Sequence, residues 1–293
     1  MTHSPLFILC LALAAAPLAR AEAPAAAAVP AGSANASAPG SAAPSASPSL
    51  TAGQMKEAAR VDTVTIPSPG ELMTALNKEA KPNWQSEYRP PIPTLYNSRV
   101  QIALNVGTLI ADGYIALEAE DSQQIKNLGK DIITLAKSLA VSESVIARGN
   151  SIVDFADNNE WSALKEELEA TQNEVKLALE QQHDTDLVSL VTLGGWIRGT
   201  AVVSSWIASN YTPETAKLLR QPGIVANMRQ KLASLPEKVQ ADPLLRKIAP
   251  ALEEIEALVS FPTDKAPTEE QVVKLKEITS GLVTEMAKKQ ETK

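Results

Sequence analysis

Cysteine is nearly missing from this sequence, because Cys10 is the one cysteine among 293 residues. It lies in an apolar stretch close to the N-terminus. A disulfide framework, a thiolate zinc site and a cysteine nucleophile are therefore excluded from the chain that follows this stretch. A lipoprotein anchor at Cys10 is also disfavoured, since Leu9 precedes it where a small residue is expected.

Histidine is almost as scarce, with His183 the one histidine that follows the N-terminal stretch. His183 ends a Glu180-x-x-His spacing, which aims two ligands at one metal in di-iron bundles. Such a site needs a second copy, and the sequence has no histidine for it. The glycine signatures of nucleotide sites and the G-x-S-x-G elbow of hydrolases are missing too. We therefore predict no metal, no cofactor, no catalytic residue and no enzymatic activity.

Positive charge is also in short supply. Lys and Arg number 27 against 34 Asp and Glu, which gives a net charge of −7. No basic block outweighs this total, so nucleic acid is excluded as a partner. The predicted partner is therefore a protein or a small molecule. A membrane is a further partner only if the N-terminal segment is not cleaved.

The first 21 residues have the features of a secretory signal peptide. An apolar core begins at Leu6, and Ala19 and Ala21 form an A-x-A cleavage pattern. The alternative is an uncleaved anchor, although the apolar segment is shorter than the roughly 20 residues that span a bilayer. Residues 22–60 are rich in Ala, Pro and Ser and predict a disordered linker. We expect a periplasmic or secreted bacterial protein.

Residues 61–293 predict an all-α multi-helix bundle of about eight to ten helices. Capping boxes start helices at Ser68 and Thr268, and single capping residues are expected at Asp121, Asn159 and Asp184. No stretch alternates in the way that a strand requires.

Two predicted helices, 97–119 and 184–210, are almost uniformly apolar and should be central. Both contain small residues at helical spacing, although glycine inside a helix costs about 1 kcal/mol relative to alanine. Such residues let two helix backbones approach closely. The candidates for this close packing are Ala103, Gly107 and Ala111 on the first helix, and Gly195 and Gly199 on the second.

Each of the two apolar helices has a single interior charge, and the two charges are opposite. A buried lone charge costs several kcal/mol unless it is paired, so we expect Asp112 to meet Arg198. Asn105 and Thr108 share the Asp112 face and are candidates to complete the hydrogen bonding. Three hypotheses follow: a structural pair that sets helix register, a pocket where Arg198 receives an anionic ligand, or two membrane-spanning helices.

A proline-rich segment with aromatic residues, KPNWQSEYRPP, precedes the first apolar helix. Its aromatic residues indicate either a segment pinned onto the helical body or a recognition patch. Together with LNVGTLIADGYIAL, NEWSALKEELEATQNEVKLAL and LVTLGGWIRG, this segment resembles uncharacterised secreted all-helical bacterial proteins over about residues 68–286. The resemblance implies an exported bacterial domain and carries over no catalytic residue.

Overall fold

The computed structural model describes residues 66–141, 143–221 and 223–289. The predicted signal peptide, the predicted linker and the first residues of the predicted helical domain lie outside the described residues. The described residues contain nine α-helices of at least ten residues, two α-helices of four residues and no strand, which confirms the predicted all-α bundle of about eight to ten helices. The helices are α1 Pro69–Glu79, α2 Arg99–Glu118, α3 Ser122–Ser138, α4 Glu143–Asp157, α5 Trp161–Gln181, α6 Thr185–Ser209, α7 Pro213–Ala216, α8 Ile224–Ala233, α9 Glu237–Gln240, α10 Leu245–Val259 and α11 Glu269–Ala287.

The centre of the bundle is the crossing of α2 and α6, which form its most extensive helix–helix contact. Every residue of α2 from Val100 to Leu117 is buried. Helices α1 and α11 also pack on α6, while α3 and α5 pack on α2. Both central helices are apolar around their whole circumference because other helices cover each side.

Helices α2 and α6 are also long and apolar enough to cross a membrane. In the structure, however, their apolar windows are 100% and 83% buried against other parts of the protein. Burial of this extent is typical of core helices, which explains the composition without a bilayer. One or two such helices are weak evidence for a membrane span.

Three helix starts follow from short polar signals in the sequence. Ser68 and Thr268 each form a complete capping box, with Glu71 and Gln271 as the reciprocal partners. Asp121 caps α3 by accepting a 2.9 Å hydrogen bond from the Gln124 backbone N–H. These side chains satisfy backbone donors that have no partner within the helix.

The expected caps at Asn159 and Asp184 differ from the structure. Asn159 has φ +58° and its N–H bonds to Ala156, so it ends α4, and Glu160 is the residue that precedes α5. Asp184 does lie at the start of α6, but its side chain makes no capping bond. Its carboxylate instead accepts a hydrogen bond from Arg99 Nη2 at 2.7 Å. The Asp184 carboxylate thus forms an ion pair with Arg99 instead of capping α6.

Glycine makes the close approach of α2 and α6 possible at two positions. A β-carbon on Gly107 would overlap the carbonyl oxygen of Val191, and one on Gly194 would overlap the carbonyl oxygen of Leu104. Gly195 is less tightly placed, because its β-carbon would lie 3.2 Å from the carbonyl oxygen of Gly107. The backbones therefore touch along the Gly107 and Gly194 faces.

The other small residues have different neighbours. A β-carbon on Gly199 would face Leu72 and Pro69, so this glycine accommodates α1 rather than α2. Ala103 and Ala111 are completely buried within α2. The predicted Gly195/Gly199 pair is thus divided between two neighbouring helices.

We predict that Gly194→Ala lowers the free energy of unfolding by about 3 kcal/mol, since the added methyl group must displace backbone. Gly281→Ala in α11 is the control, because nothing lies within 4 Å of a β-carbon there. That change should raise the stability by about 0.4–1 kcal/mol through the unfolded chain. Urea unfolding followed by circular dichroism measures both, and equal effects would contradict the close crossing.

Candidate functional site

A buried cluster of three charged side chains lies beside the central crossing. One carboxylate oxygen of Asp112, Oδ1, accepts a 2.7 Å hydrogen bond from Arg198 Nε. The other, Oδ2, accepts from Arg89 Nε at 2.7 Å and lies 2.6 Å from Arg89 Nη2. The side chains of Asp112 and Arg198 are 9% and 8% exposed, so both are shielded from water. One carboxylate thus serves two arginines.

The three charges come from three separate elements. Asp112 belongs to α2 and Arg198 to α6, whereas Arg89 belongs to the proline-rich segment, residues 81–93, between α1 and α2. Arg198 also donates from Nη2 to the backbone carbonyl oxygen of Glu87 at 2.6 Å. Arg198 therefore binds both the neighbouring helix and the proline-rich segment.

Aromatic side chains attach the same part of the chain to the helices. Trp84 is buried and donates from Nε1 to Asn77 Oδ1 at 3.1 Å. Tyr88 donates its hydroxyl to Asp121 Oδ2 at 3.3 Å, and Tyr96 donates to the carbonyl oxygen of Ala287 at 3.2 Å. These contacts are those of a segment pinned onto the helical body.

Thr108 joins the cluster through Arg89 rather than through Asp112. Its hydroxyl accepts a 2.8 Å hydrogen bond from Arg89 Nη2 and donates to the carbonyl oxygen of Asn105 at 3.0 Å. Thr108 therefore holds a second nitrogen of Arg89 in place.

Asn105 lies one helical turn before Thr108 on α2, and it makes no hydrogen bond with Asp112 or Arg198. Its amide donates to the backbone carbonyl oxygens of Gln101 and Met286, at 2.9 and 2.7 Å. Gln101 also donates to Met286, at 2.9 Å, and to Lys288. These two amides satisfy carbonyls at the end of α11, so Asn105 belongs to a neighbouring contact rather than to the charged cluster.

The cluster contains more positive charge and more donors than its carboxylate can satisfy. Two guanidinium groups face one carboxylate, and within the described chain Glu87 forms no ion pair with either arginine. Arg89 Nη1 is buried and has no hydrogen-bond partner among the described residues. A guanidinium has five donors, and leaving one buried without a partner is costly.

Two pockets lie beside the proline-rich segment, and Arg89 lines both. The larger has a volume of about 410 Å³, and we call it the arginine pocket. Its cationic lining residues are Arg89, Arg198 and Lys288, and no acidic residue lines it. The smaller, about 130 Å³, is lined by Asp112 and Asp131 as well as Arg89. The two pockets therefore differ in the sign of charge that they present.

The Glu87 side chain lies outside the cluster, but its carboxyl group interacts electrostatically with Arg198. Burial raises the pKa of the Glu87 carboxyl, while the charge of Arg198 and a hydrogen bond with Ser205 act in the opposite direction. Glu87 therefore interacts electrostatically with Arg198, although the two side chains form no ion pair.

Arg89 is the member of the cluster that sequence reasoning missed. It lies between Tyr88 and Pro90, in a segment with no helical period from which a direction for its side chain can be read. No signal in the sequence pointed to Arg89, because it comes close to the Asp112 carboxylate only when the chain has folded.

Comparison with known proteins gives no family for this chain: no protein-family description, no curated protein and no solved structure matches it. Among the described residues no group of three or more His, Cys, Asp and Glu side chains is arranged to hold a metal ion.

We predict that Asp112→Ala lowers the free energy of unfolding by about 3–5 kcal/mol, because it leaves two largely buried guanidinium groups without their counterion. Asp154→Ala on the exposed face of α4 is the matched control and should change stability by less than about 0.5 kcal/mol. Chemical denaturation measures both variants. A small effect at Asp112 would mean that water solvates the arginines in the folded protein.

Proposed function

We propose that this protein is an exported, non-enzymatic binding protein that takes a small organic anion in the arginine pocket. The observation that carries the proposal is the charge imbalance of the cluster. Arg89 and Arg198 share the single carboxylate of Asp112, and both line a pocket without any acidic residue. An anion bound there would add negative charge to the single carboxylate that the two arginines share in their ion pairs.

Preorganisation supports the same function. Asp112, Thr108 and the Glu87 carbonyl oxygen hold the two guanidinium groups in fixed positions. A ligand therefore meets donors whose rotamer entropy has already been lost on folding, which favours affinity. Guanidinium groups also match the planar geometry of carboxylates and related oxyanions.

The walls of the arginine pocket indicate what else the ligand contains. Apolar side chains form most of the remaining surface, and Ser280 and Thr284 add two hydroxyl groups. Pockets with apolar walls and few polar groups are typical of small organic ligands. We therefore propose a single anionic group attached to an apolar body. The apolar wall residues are Pro90, Pro91, Ile92, Pro93, Val283 and Ala287.

Export remains part of the proposal and rests on the N-terminal sequence alone. If residues 1–21 are a cleaved signal peptide, the mature protein recovered after export begins near Glu22. The alternative is a membrane-anchored helical protein, with residues 22–60 as a spacer from the bilayer. Recovery of the full-length chain from the membrane fraction would favour that alternative.

We predict that octanoate binds the full-length protein at least about ten-fold more tightly than octan-1-ol or octylammonium. The three probes share an apolar chain and differ in head-group charge, so the comparison isolates the contribution of the arginines. Isothermal titration calorimetry measures all three. Equal affinities for octanoate and octan-1-ol would overturn the proposed anion recognition.

A pair of tryptophan variants assigns the binding to the arginine pocket without disturbing the cluster. Thr284 is exposed, lines the pocket and donates its hydroxyl to Ser280 four residues earlier. Thr134 is an exposed helical threonine with the same type of bond, to Lys130, and lies away from the pocket. Thr284→Trp should weaken octanoate binding at least about ten-fold, while Thr134→Trp should leave it unchanged. Equal effects of the two variants would place the binding elsewhere.

A further inference from the structure

A second pocket lies where α1, α2, α5 and α6 meet, apart from the charged cluster. Its volume is about 260 Å³, and Gly107 and Gly195 from the central crossing line it. These two glycines belong to the close contact between α2 and α6, so the pocket lies directly beside the central crossing. We call it the α5 pocket, after the helix that contributes most of its polar side chains.

One stripe of α5 faces this pocket. Glu169, Gln172, Asn173 and Lys176 all line it, and their spacing places them on one side of a helix. None of the four makes a side-chain hydrogen bond or an ion pair with another described residue. The pocket wall therefore offers unused donors and acceptors, which is the arrangement expected of a polar ligand site.

Lys176 is the most unusual member of the stripe. Its ammonium group is half-buried, and burial is the main reason that its pKa lies below the ordinary value. The charges of Glu180 and Glu71 partly oppose this effect, and Lys231 adds to it. This cation has lost part of its hydration, and no carboxylate of residues 66–141, 143–221 or 223–289 lies within 4 Å of it. It therefore gains from binding an anionic group.

Negative charge lines the other parts of the same pocket. Glu71 belongs to α1, and Glu169 lies seven residues before Lys176 on α5. Glu71 Oε2 already accepts a 2.6 Å hydrogen bond from the Ser68 backbone, which fixes the position of that carboxylate. Glu71 and Lys176 influence each other electrostatically but do not close into an ion pair. The pocket thus presents both signs of charge.

We propose that the α5 pocket binds a free α-amino acid, with the ligand carboxylate at Lys176 and the ligand ammonium at Glu71 and Glu169. The amides of Gln172 and Asn173 supply further donors to the carboxylate. Ile66, Ile110 and Val191 provide apolar surface for the ligand side chain. The site is separate from the arginine pocket, so neither proposal depends on the other.

Three small molecules test this assignment on the full-length protein. L-leucine has both charges, 4-methylpentanoate lacks the ammonium group, and 3-methylbutylamine lacks the carboxylate. Isothermal titration calorimetry should show L-leucine binding at least about ten-fold more tightly than either analogue. Equal binding of L-leucine and 4-methylpentanoate, or no L-leucine binding at millimolar concentrations, would overturn the proposal.

Two variants locate the binding. Lys176→Met should weaken L-leucine binding at least about ten-fold, whereas Lys130→Met, at an exposed lysine of α3, should leave it unchanged. Glu169→Gln changes an exposed residue, so the variant should fold normally. It should weaken L-leucine binding more than 4-methylpentanoate binding, because only L-leucine has an ammonium group. Unchanged L-leucine affinity in Lys176→Met, or equal effects of Glu169→Gln on both ligands, would contradict the assigned orientation.

Discussion

The shared carboxylate of Asp112 is the interaction on which the centre of this protein depends. It binds Arg198 on the facing helix and Arg89 on the proline-rich segment, with N–O distances of 2.6–2.7 Å. An isolated buried charge costs several kcal/mol, and a paired one is tolerated only when its hydrogen bonds are satisfied. Asp112 therefore connects α2 to α6 and, at the same time, attaches the chain that joins α1 to α2.

Glycine is what brings these groups within reach of one another. Gly107 and Gly194 allow backbone contact between α2 and α6, and this contact shortens the distance that the side chains of Asp112 and Arg198 must cover. Gly107 and Gly195 also line the α5 pocket, which lies beside this crossing. The unfavourable helix propensity of these glycines is thus offset by tertiary packing.

Much of the fold was predictable, because period, composition and capping signals are local. Two solitary opposite charges on apolar helices led to the pairing of Asp112 with Arg198, and the structure has them 2.7 Å apart. Arg89 was beyond such reasoning, since an irregular segment gives no face on which to place a side chain. The division of Gly195 and Gly199 between neighbours depends on the rotation of α6, and the loss of the Asp184 cap depends on Arg99, which is distant in sequence.

A double-mutant cycle on Asp112 and Arg198 tests the central claim most directly. The variants are Asp112→Ala, Arg198→Met and the combination, and the free energy of unfolding of each is measured by chemical denaturation. We expect a coupling energy of about 1–3 kcal/mol, as for contacting groups in one buried network. The exposed pair Arg99 and Asp184 provides the comparison, with an expected coupling of about 0.2–1 kcal/mol. A coupling at Asp112 and Arg198 no larger than that of the exposed pair would contradict a buried, mutually dependent cluster.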